Sequence, residues 1–544
     1  MSARHDYDWI VIGSGFGGSV AALRLAQKGY RVLVLESGRR FRDEDFAKST
    51  WDTRRYFFAP KLGCRGIMRM SLFRDIFIVS GAGVGGGSLG YANTLYRARR
   101  SFFEDPGWGG LADWETVLTP HYDTAERMLG VTDVTFDTDA DLLLKEMAEE
   151  FGVGDTYRHT RVGVYFGENG VEHPDPYFDG EGPARSGCTR CGQCMVGCRH
   201  NAKNTLVKNY LWFAEKLGVR IEPDRTVADV RPLGAADGSG GYAVTHERTG
   251  AWVRRGSRRI TAGGVVVAAG ALGTNKLLAS CRESGALPRL SDRIGHLVRT
   301  NSESIVAVTA PDDTRDLYGS VAISASMYPD PETHVELVTY GAAGDSMSTL
   351  YTTLTGDGTR STRWLVWLSA VVRRPGRFLR TLSPAKWSRR TMTVLVMQTT
   401  DAAIRFKAVP KRFGKGVRLA TEQNAENPNP TFLPAANRAA EWLAERTGGT
   451  PQSSITEALM NIPVTAHILG GAVIAPDASG GVIDRDGRVF GYENLLITDG
   501  SALPANPGVN PSLTITALAE HTMAAVPEAH PPVGQTGRVA AEAR

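Results

Sequence analysis

The first part of the chain alternates short apolar runs with glycine-rich loops. The run Asp8–Ile12 leads into glycines at positions 13, 15, 17 and 18, and then into SVAALRLAQKG, whose apolar residues form one face of a helix. A second apolar run, Arg31–Leu35, follows. This order predicts a strand, a tight turn, a helix and a second strand.

The glycines of this unit and the acid that ends it each have a physical role. Gly13 permits the turn, Gly15 lets backbone N–H groups approach a pyrophosphate, and Gly18 lets the helix pack closely on the strand. Glu36 ends the second run, where its carboxylate can accept hydrogen bonds from ribose hydroxyls. The combination predicts dinucleotide binding rather than an ordinary glycine-rich turn, without choosing between FAD and NAD.

Two further stretches also place glycine or polar residues at the ends of predicted strands. The run Ile76–Val79 feeds the loop SGAGVGGGS, whose bare backbone can lie against a flat ring or a phosphate. Near the far end, Asn494–Ile497 is followed by TDGSALPANPGVNPSLTITALAE, a loop that carries Asp499 and Gly500 and enters a helix. Both stretches therefore suit a cofactor site.

The composition indicates a folded protein with no general affinity for polyanions. Its 544 residues correspond to three or four masses of about 150 residues each. The net charge of +4 is too small to indicate a nucleic-acid partner. No run is long enough to span a membrane, and no cleavable leader precedes the first glycine motif. We therefore expect a cytoplasmic protein.

Taken together, four stretches resemble the glucose-methanol-choline (GMC) family of FAD oxidoreductases, and within it the branch of the bacterial cholesterol oxidases. They are VIGSGFGGSVAALRL with VLVLESG, GAGVGGGSLGYANTLY, TAHILGGAVI and LLITDGSALPANPGVNPSLTITALAE. The resemblance implies an α/β fold. Its Rossmann-type FAD-binding domain is built from discontinuous segments, and an α+β substrate domain lays a sheet over the flavin.

The resemblance also implies a division of the chain and a set of FAD contacts. The FAD-binding domain would comprise 1–110, 185–300 and 461–526, with a substrate-side insertion at 111–184, a substrate domain at 301–460 and a flexible tail at 527–544. The implied FAD contacts are Gly13, Gly15, Phe16, Gly18, Glu36, Gly86, Gly87, Ser88, Asn93, Val227, Asp499, Gly500 and Pro511.

Three residues are candidates for the chemistry. A neutral imidazole can remove the hydroxyl proton of an alcohol, and His467 lies in the stretch that resembles the family's active-site histidine motif. Asn510 resembles the second active-site position, where an amide can hold the substrate oxygen; its alternative role is a helix cap. The resemblance also implies a carboxylate, which the family's sterol oxidases use to move a proton when the steroid double bond migrates, and Glu336 in the alternating run THVELV is the match. The alternative is a solvated strand glutamate.

Four of the six cysteines lie within eleven positions of one another. Cys188, Cys191, Cys194 and Cys198 have the spacing of ferredoxin ligands, although Arg199 stands where such segments usually carry proline. An iron–sulfur cluster would favour a dehydrogenase that passes electrons onward. Reduced structural thiols and a zinc site are the alternatives.

The segment 363–390 carries eight Lys or Arg residues, no Asp or Glu, and several aromatic side chains. This pattern suits peripheral contact with an anionic lipid surface. The alternative is a solvated helical insertion whose aromatic residues pack on the parent domain, and RNA binding is disfavoured because no recognisable module accompanies the patch.

The resemblance implies FAD-dependent oxidation of a 3β-hydroxysteroid such as cholesterol, with O₂ or another compound as electron acceptor. Isomerisation to the 4-en-3-one would follow if Glu336 shares a pocket with His467. The alternative enzyme is an FAD-dependent dehydrogenase of another bulky or long-chain alcohol that uses a non-oxygen acceptor. A flavin-bearing redox sensor or membrane scaffold is the non-enzymatic alternative.

Overall fold

Residues 5–412 and 416–529 are described by the computed structural model. The predicted tail lies outside the described residues from position 530 onward, whereas Ala529 donates its backbone N–H to the carbonyl of Lys28 (2.9 Å). None of the described helices is long and apolar enough to cross a membrane. The α-helices are Phe16–Gln27, Thr53–Tyr56, Arg100–Phe103, Trp114–Leu129, Asp139–Glu150, Tyr210–Lys216, Gly270–Glu283, Arg363–Arg373, Pro375–Thr381, Trp387–Arg390, Pro434–Thr447, Ile455–Met460 and Ser512–Ala524.

The predicted strand–turn–helix–strand unit lies at the centre of a seven-stranded sheet, here called the Rossmann sheet. Strand Tyr7–Ile12 is parallel to both of its neighbours, Val32–Leu35 and Arg258–Val267. Strand Leu495–Ile497 adds to Arg258–Val267, also in parallel. The remaining strands of the Rossmann sheet are Arg220–Glu222, Arg225–Pro232 and Tyr242–Arg248. Because these parallel strands point the same way, segments far apart in the chain end at one edge of the sheet.

At that edge, glycine is required where backbones touch. A Cβ atom on Gly13 would lie 2.2 Å from the carbonyl oxygen of Ala268, and one on Gly17 would lie 1.9 Å from that of Thr498. Gly18 packs equally closely, because its Cβ would lie 2.1 Å from the carbonyl oxygen of Gly13. The helix Phe16–Gln27 can therefore begin directly against the ends of two strands.

A second seven-stranded sheet is antiparallel throughout and is here called the roof sheet. In spatial order its strands are Tyr351–Thr353, Thr450–Ser454, Ser304–Thr309, Thr391–Gln398, Thr333–Val338, Ala325–Asp330 and Arg158–His159.

Side chains of the roof sheet alternate between a helix-covered face and a cavity-facing side. In the strand Thr333–Val338, Val335 and Leu337 join the core under helices Asp139–Glu150 and Pro434–Thr447. Val338 instead lines the cavity that the sheet covers. Because side chains alternate along a strand, Glu336 shares the side of Val338.

Smaller sheets complete the fold. One joins Val417–Gln423, Ile404–Pro410, His296–Arg299 and Leu469–Gly471, and another joins Val464–Thr465, Phe77–Gly81 and Met68–Leu72. The first of these combines segments that were predicted to belong to different domains, and the domain boundaries stay predictions. The two-stranded pairs are Phe58–Ala59 with Cys64–Arg65, Thr132–Asp133 with Arg161–Val162, and Glu172–His173 with Arg185–Ser186.

Candidate active site

A largely apolar cavity of about 330 Å³ lies between the edge of the Rossmann sheet and the roof sheet. His467 and Asn510 contribute to its wall. So do residues that follow three strands of the Rossmann sheet, namely Tyr7–Ile12, Arg258–Val267 and Leu495–Ile497. The predicted FAD contacts that line it are Gly15, Phe16, Gly87, Asp499, Gly500 and Pro511. Four distant parts of the chain thus meet around one space.

The glycine loops at this cavity fit the pyrophosphate of a dinucleotide. No side chain caps the N-terminus of helix Phe16–Gln27, so its first N–H groups are left for another acceptor. A Cβ on Gly86 would lie 2.5 Å from the Cα of Gly15, which shows that the two predicted loops meet backbone to backbone. Gly270 has a φ of +75° and no atom within 4 Å of its would-be Cβ. These bare backbones leave room for a close ligand.

Glu36 is buried at the far end of this cofactor site. Its carboxylate accepts hydrogen bonds from the N–H and hydroxyl of Ser14 (3.1 and 2.8 Å) and from the N–H of Gly38 (2.7 Å). Carboxylate oxygens can accept further hydrogen bonds, so a ribose remains compatible with this arrangement. Arg225 donates its N–H to the Glu36 carbonyl (2.8 Å), which places the strand that carries Val227 beside this end.

Two other predicted FAD contacts, Ser88 and Asn93, are buried close to the glycine loop. Ser88 donates its hydroxyl to the carbonyl of Gly85 (2.7 Å) and accepts the N–H of Leu206 (3.0 Å). Asn93 is fully buried, with a left-handed φ of 73°. Ser88 and Asn93 do not belong to the cavity wall described above, and Ser88 holds the glycine loop in shape. Their contact with FAD stays a prediction.

The three candidate catalytic residues lie together. Asn510 donates from Nδ2 to Oε2 of Glu336 (3.3 Å), and the same nitrogen lies 3.5 Å from Nε2 of His467. Glu336 is fully buried, which rules out the solvated strand glutamate. Asn510 does not cap the helix Ser512–Ala524, whose N-cap residue is Pro511 without a side-chain hydrogen bond. The side chain of Asn510 is thus directed at the other two residues.

A fourth residue, Glu303, holds the imidazole and was not predicted from the sequence. Its Oε1 forms a short hydrogen bond with Nδ1 of His467, and its Oε2 accepts the N–H of Ala466 (2.8 Å). This contact fixes Nδ1 as the protonated nitrogen and leaves Nε2 toward Asn510. Glu303 directly precedes the buried strand Ser304–Thr309, and that position is the only signal in the sequence.

Charge and burial set the protonation states of this group. Burial alone lowers the pKa of His467, but the Glu303 carboxylate outweighs it, so the pKa lies above its ordinary value. Burial raises the pKa of Glu336 to about 8, although the Asn510 hydrogen bond and the His467 charge oppose this shift. The site therefore holds an imidazole tuned by one carboxylate and a second carboxyl that is largely neutral at neutral pH.

The four clustered cysteines lie in a loop beside the active cavity. In residues 5–412 and 416–529, no group of three or more His, Cys, Asp or Glu side chains is placed to hold a metal ion. This finding supports neither the zinc site nor the iron–sulfur cluster, and the reduced structural thiols remain an alternative. Burial raises the thiol pKa of Cys188 to about 12 and that of Cys194 to about 11. Iron–sulfur binding stays a prediction.

Models of two families match the chain. Residues 395–519 match the GMC oxidoreductase model, and residues 11–42 match that of the NAD(P)-binding Rossmann-like domain. A pyridoxine 4-oxidase structure from Mesorbium loti shares the fold with a TM-score of 0.60 and 14% identity, over 95% of this chain and 98% of that one. The predicted fold class is confirmed.

Relatives match almost the full length. A cholesterol oxidase of Mycobacterium tuberculosis (strain ATCC 25618 / H37Rv) is 48% identical over 98% of this chain and 94% of that protein. A cholesterol oxidase of Acinetobacter baumannii is 45% identical over 97% of this chain and 95% of that protein. The chain therefore belongs to the GMC family of FAD oxidoreductases that act on CH–OH groups, as the sequence motifs predicted.

Proposed function

We propose that this protein oxidises a 3β-hydroxysteroid of the cholesterol type to the ketone. The observation that carries the proposal is the convergence of His467 and Asn510 on the wall of an apolar cavity beside the dinucleotide site, with Glu336 hydrogen-bonded to Asn510. The wall suits a hydrophobic substrate that carries a hydroxyl group, because it is largely apolar and brings the polar side chains of His467 and Asn510 together. The names of the two full-length relatives support the substrate class.

The chain's own residues handle the proton and the oxygen of the substrate. FAD, when bound, supplies the acceptor for the hydride of the carbinol carbon. Nε2 of His467 takes the hydroxyl proton, while Glu303 holds the ring and stabilises the resulting imidazolium. Oδ1 of Asn510 is buried and has no hydrogen-bond partner in the described part of the chain. Buried polar atoms are normally paired, so this atom is available to orient the substrate hydroxyl.

Anaerobic reduction of the bound flavin tests this function directly. We expect cholesterol to bleach the flavin absorption of the FAD-loaded protein, whereas the 3α epimer, whose hydroxyl has the opposite configuration and would be misaligned for transfer, should react at least about 100-fold more slowly. The measurement is stopped-flow absorbance with each sterol in the same detergent. Bleaching by long-chain primary alcohols but not by sterols would refute the steroid assignment while leaving the family intact.

A dehydrogenase with a non-oxygen acceptor is the second candidate, and the position of the cysteine loop favours it. Met195, next to Cys194, lines the active cavity, so the loop lies against the cofactor space. Oxygen consumption recorded beside reduction of an artificial acceptor separates the two. One O₂ consumed per sterol oxidised supports the oxidase, and turnover only with the artificial acceptor supports the dehydrogenase.

We further propose that segment 363–390 contacts an anionic lipid surface. It folds into helices Arg363–Arg373 and Pro375–Thr381, and large apolar side chains on them are exposed to solvent. These are Trp364, Leu365, Leu368, Val372 and Leu379. Arg373, Arg374, Arg377 and Arg380 form no salt bridge with a described acidic residue. Exposed apolar and cationic groups on one segment match the chemistry of an anionic bilayer.

The inner side of these two helices packs on the domain close to the active cavity. Trp367 donates its Nε1–H to the hydroxyl of Thr352 (3.0 Å) and packs edge to face on Phe378. Helix Arg363–Arg373 also packs on helix Ile455–Met460, whose first residues line the active cavity. Trp367 thus anchors segment 363–390 on the domain. This contact is what the alternative interpretation expects, in which the segment is a solvated helical insertion whose aromatic residues pack on the parent domain. The outward face would hold the lipid surface close to the cavity.

Neutralising the two central arginines should weaken vesicle binding. Each arginine near an anionic surface contributes about 1 kcal/mol, so R373Q/R377Q should lower the affinity for phosphatidylserine-containing vesicles by about 30-fold at low salt. The matched control, R254Q/R259Q, changes two exposed arginines elsewhere and should bind as the parent does. Vesicle co-sedimentation measures both. No binding of the parent protein at low ionic strength would exclude this contact.

A further inference from the structure

The four clustered cysteines share one small cavity of their own. Cys188, Cys191, Cys194 and Cys198 all line a space of about 20 Å³ that lies beside the active cavity. A metal–sulfur bond is only about 2.3 Å long, far shorter than a van der Waals contact. A metal–sulfur cluster bonded to four thiols therefore needs less empty space than an unbonded ligand of the same size, because no van der Waals gap separates it from the cysteine sulfurs. Four ligand side chains around one hollow make a built site.

The arrangement of the side chains bears on which kind of metal group the thiols could hold. Within the described ranges, no group of three or more His, Cys, Asp or Glu side chains is placed to hold a metal ion. A mononuclear site is thus disfavoured, whereas a cluster keeps its cysteine sulfurs apart because iron and sulfide atoms lie between them. The run Cys-x₂-Cys-x₂-Cys-x₃-Cys has the ligand spacing of bacterial ferredoxins. Sequence and cavity therefore point to the same kind of group.

Buried positive charges next to this cavity lack a negative partner. Lys203 lines the cavity, is 1% exposed, and donates from Nζ to the carbonyls of Leu89, Tyr91 and Cys194 (3.1, 2.8 and 2.9 Å). It forms no salt bridge with any acidic residue in the described ranges. A buried ammonium is costly unless an anion compensates it.

Arg185 is a second buried cation, and it lies near enough to Cys198 to interact with it electrostatically. It is 2% exposed, and its Nη2 has no hydrogen-bond partner among the described residues. Its other donors reach the carbonyl of Asn201 (3.1 Å) and the side chain of Asn204 rather than a carboxylate. An unpaired guanidinium nitrogen at this depth indicates a missing acceptor. Four thiolates around an iron–sulfide core would provide the missing negative charge.

From these observations we propose that Cys188, Cys191, Cys194 and Cys198 bind a polynuclear iron–sulfur cluster, with Lys203 and Arg185 as its buried counter-charges. The proposal goes beyond steroid oxidation, which needs only the flavin site. The cluster would lie close to that site, because Nζ of Lys203 sits 4.6 Å from the ring centre of Tyr91, and both Tyr91 and Met195 line the active cavity.

Iron and acid-labile sulfide per FAD test the proposal on the whole protein. The chain is purified without oxygen, reconstituted with ferrous iron and sulfide, and desalted. We expect about four iron and four sulfide per chain, and an electron paramagnetic resonance signal after dithionite reduction that flavin alone does not give. Three iron with four sulfide would also support the proposal. Full FAD occupancy with no sulfide, or with one zinc, would overturn it.

Serine substitutions locate the site. C188S/C191S should lose the cluster signal and its iron, whereas C64S should retain both, because Cys64 lies in the strand Cys64–Arg65 away from this cavity. Retention of full sulfide in C188S/C191S would refute the ligand assignment. If this double variant loses FAD and fails to fold, the metal content of the parent protein still decides. Sterol-dependent flavin bleaching is measured separately, so its failure is not confused with loss of the cluster.

Discussion

Replacing His467 with glutamine should remove most of the alcohol-oxidising activity while FAD stays bound. Glutamine retains a polar side chain of similar length but cannot accept and hold the hydroxyl proton. Loss of a general base typically lowers kcat by about 10² to 10⁴-fold, and we expect H467Q to fall in this range. Anaerobic flavin reduction by cholesterol measures the step directly. A loss below about tenfold would exclude His467 as the base.

The pH profile gives this prediction a second readout. Only the neutral imidazole accepts a proton, so the parent rate should fall as pH drops through the pKa of His467. Because the Glu303 carboxylate helps to raise that pKa, the fall should begin at a higher pH than for an ordinary histidine. E303Q removes the negative charge beside the imidazole, so the decrease in rate on the acidic side of the pH profile, the acidic limb, should move to lower pH. Glu303 is a positioning residue, and a purely structural role would not shift the limb.

The Rossmann unit could be predicted because its signals are local. The turn, the helix start and the acid at Glu36 lie within one stretch of chain, and each follows from the backbone freedom of glycine or from strand order. The position of Gly17 shows the limit of this reasoning. Its requirement for a bare backbone comes from Thr498, which only the folded sheet brings near.

The candidate site was predictable only where a motif marks the residue. His467 and Asn510 lie in recognisable stretches, whereas Glu303 lies 164 positions before His467 in a stretch with no motif. Its role depends on where the chain enters the roof sheet, which no local pattern encodes. For the same reason, the sequence could not decide whether the Glu336 side chain faces solvent or the active site. An alternating strand has two sides, and the helix packing on Val335 and Leu337 decides which of them faces the cavity.

Glu336→Gln should uncouple double-bond migration from alcohol oxidation. In a 3β-hydroxy-5-ene steroid, oxidation makes the carbon between the ketone and the double bond acidic. The Glu336 carboxylate would take a proton there and return it at the far end of the shifted double bond, so no electrons are exchanged. Without this carrier, isomerisation should slow by about 10² to 10⁴-fold, while flavin reduction should change by less than about tenfold. The unconjugated ketone should therefore accumulate.

Two comparisons make the result specific to this carboxyl group. E457Q removes a second buried glutamate, whose pKa is raised to about 7 by burial, and should isomerise as the parent does. In the parent, isomerisation should increase with pH through about 8, because the carboxylate is the reactive form and burial holds the pKa of Glu336 there. Ultraviolet absorption of the conjugated enone follows the reaction. Equal rates of enone formation in E336Q and the parent would assign proton transfer to another group.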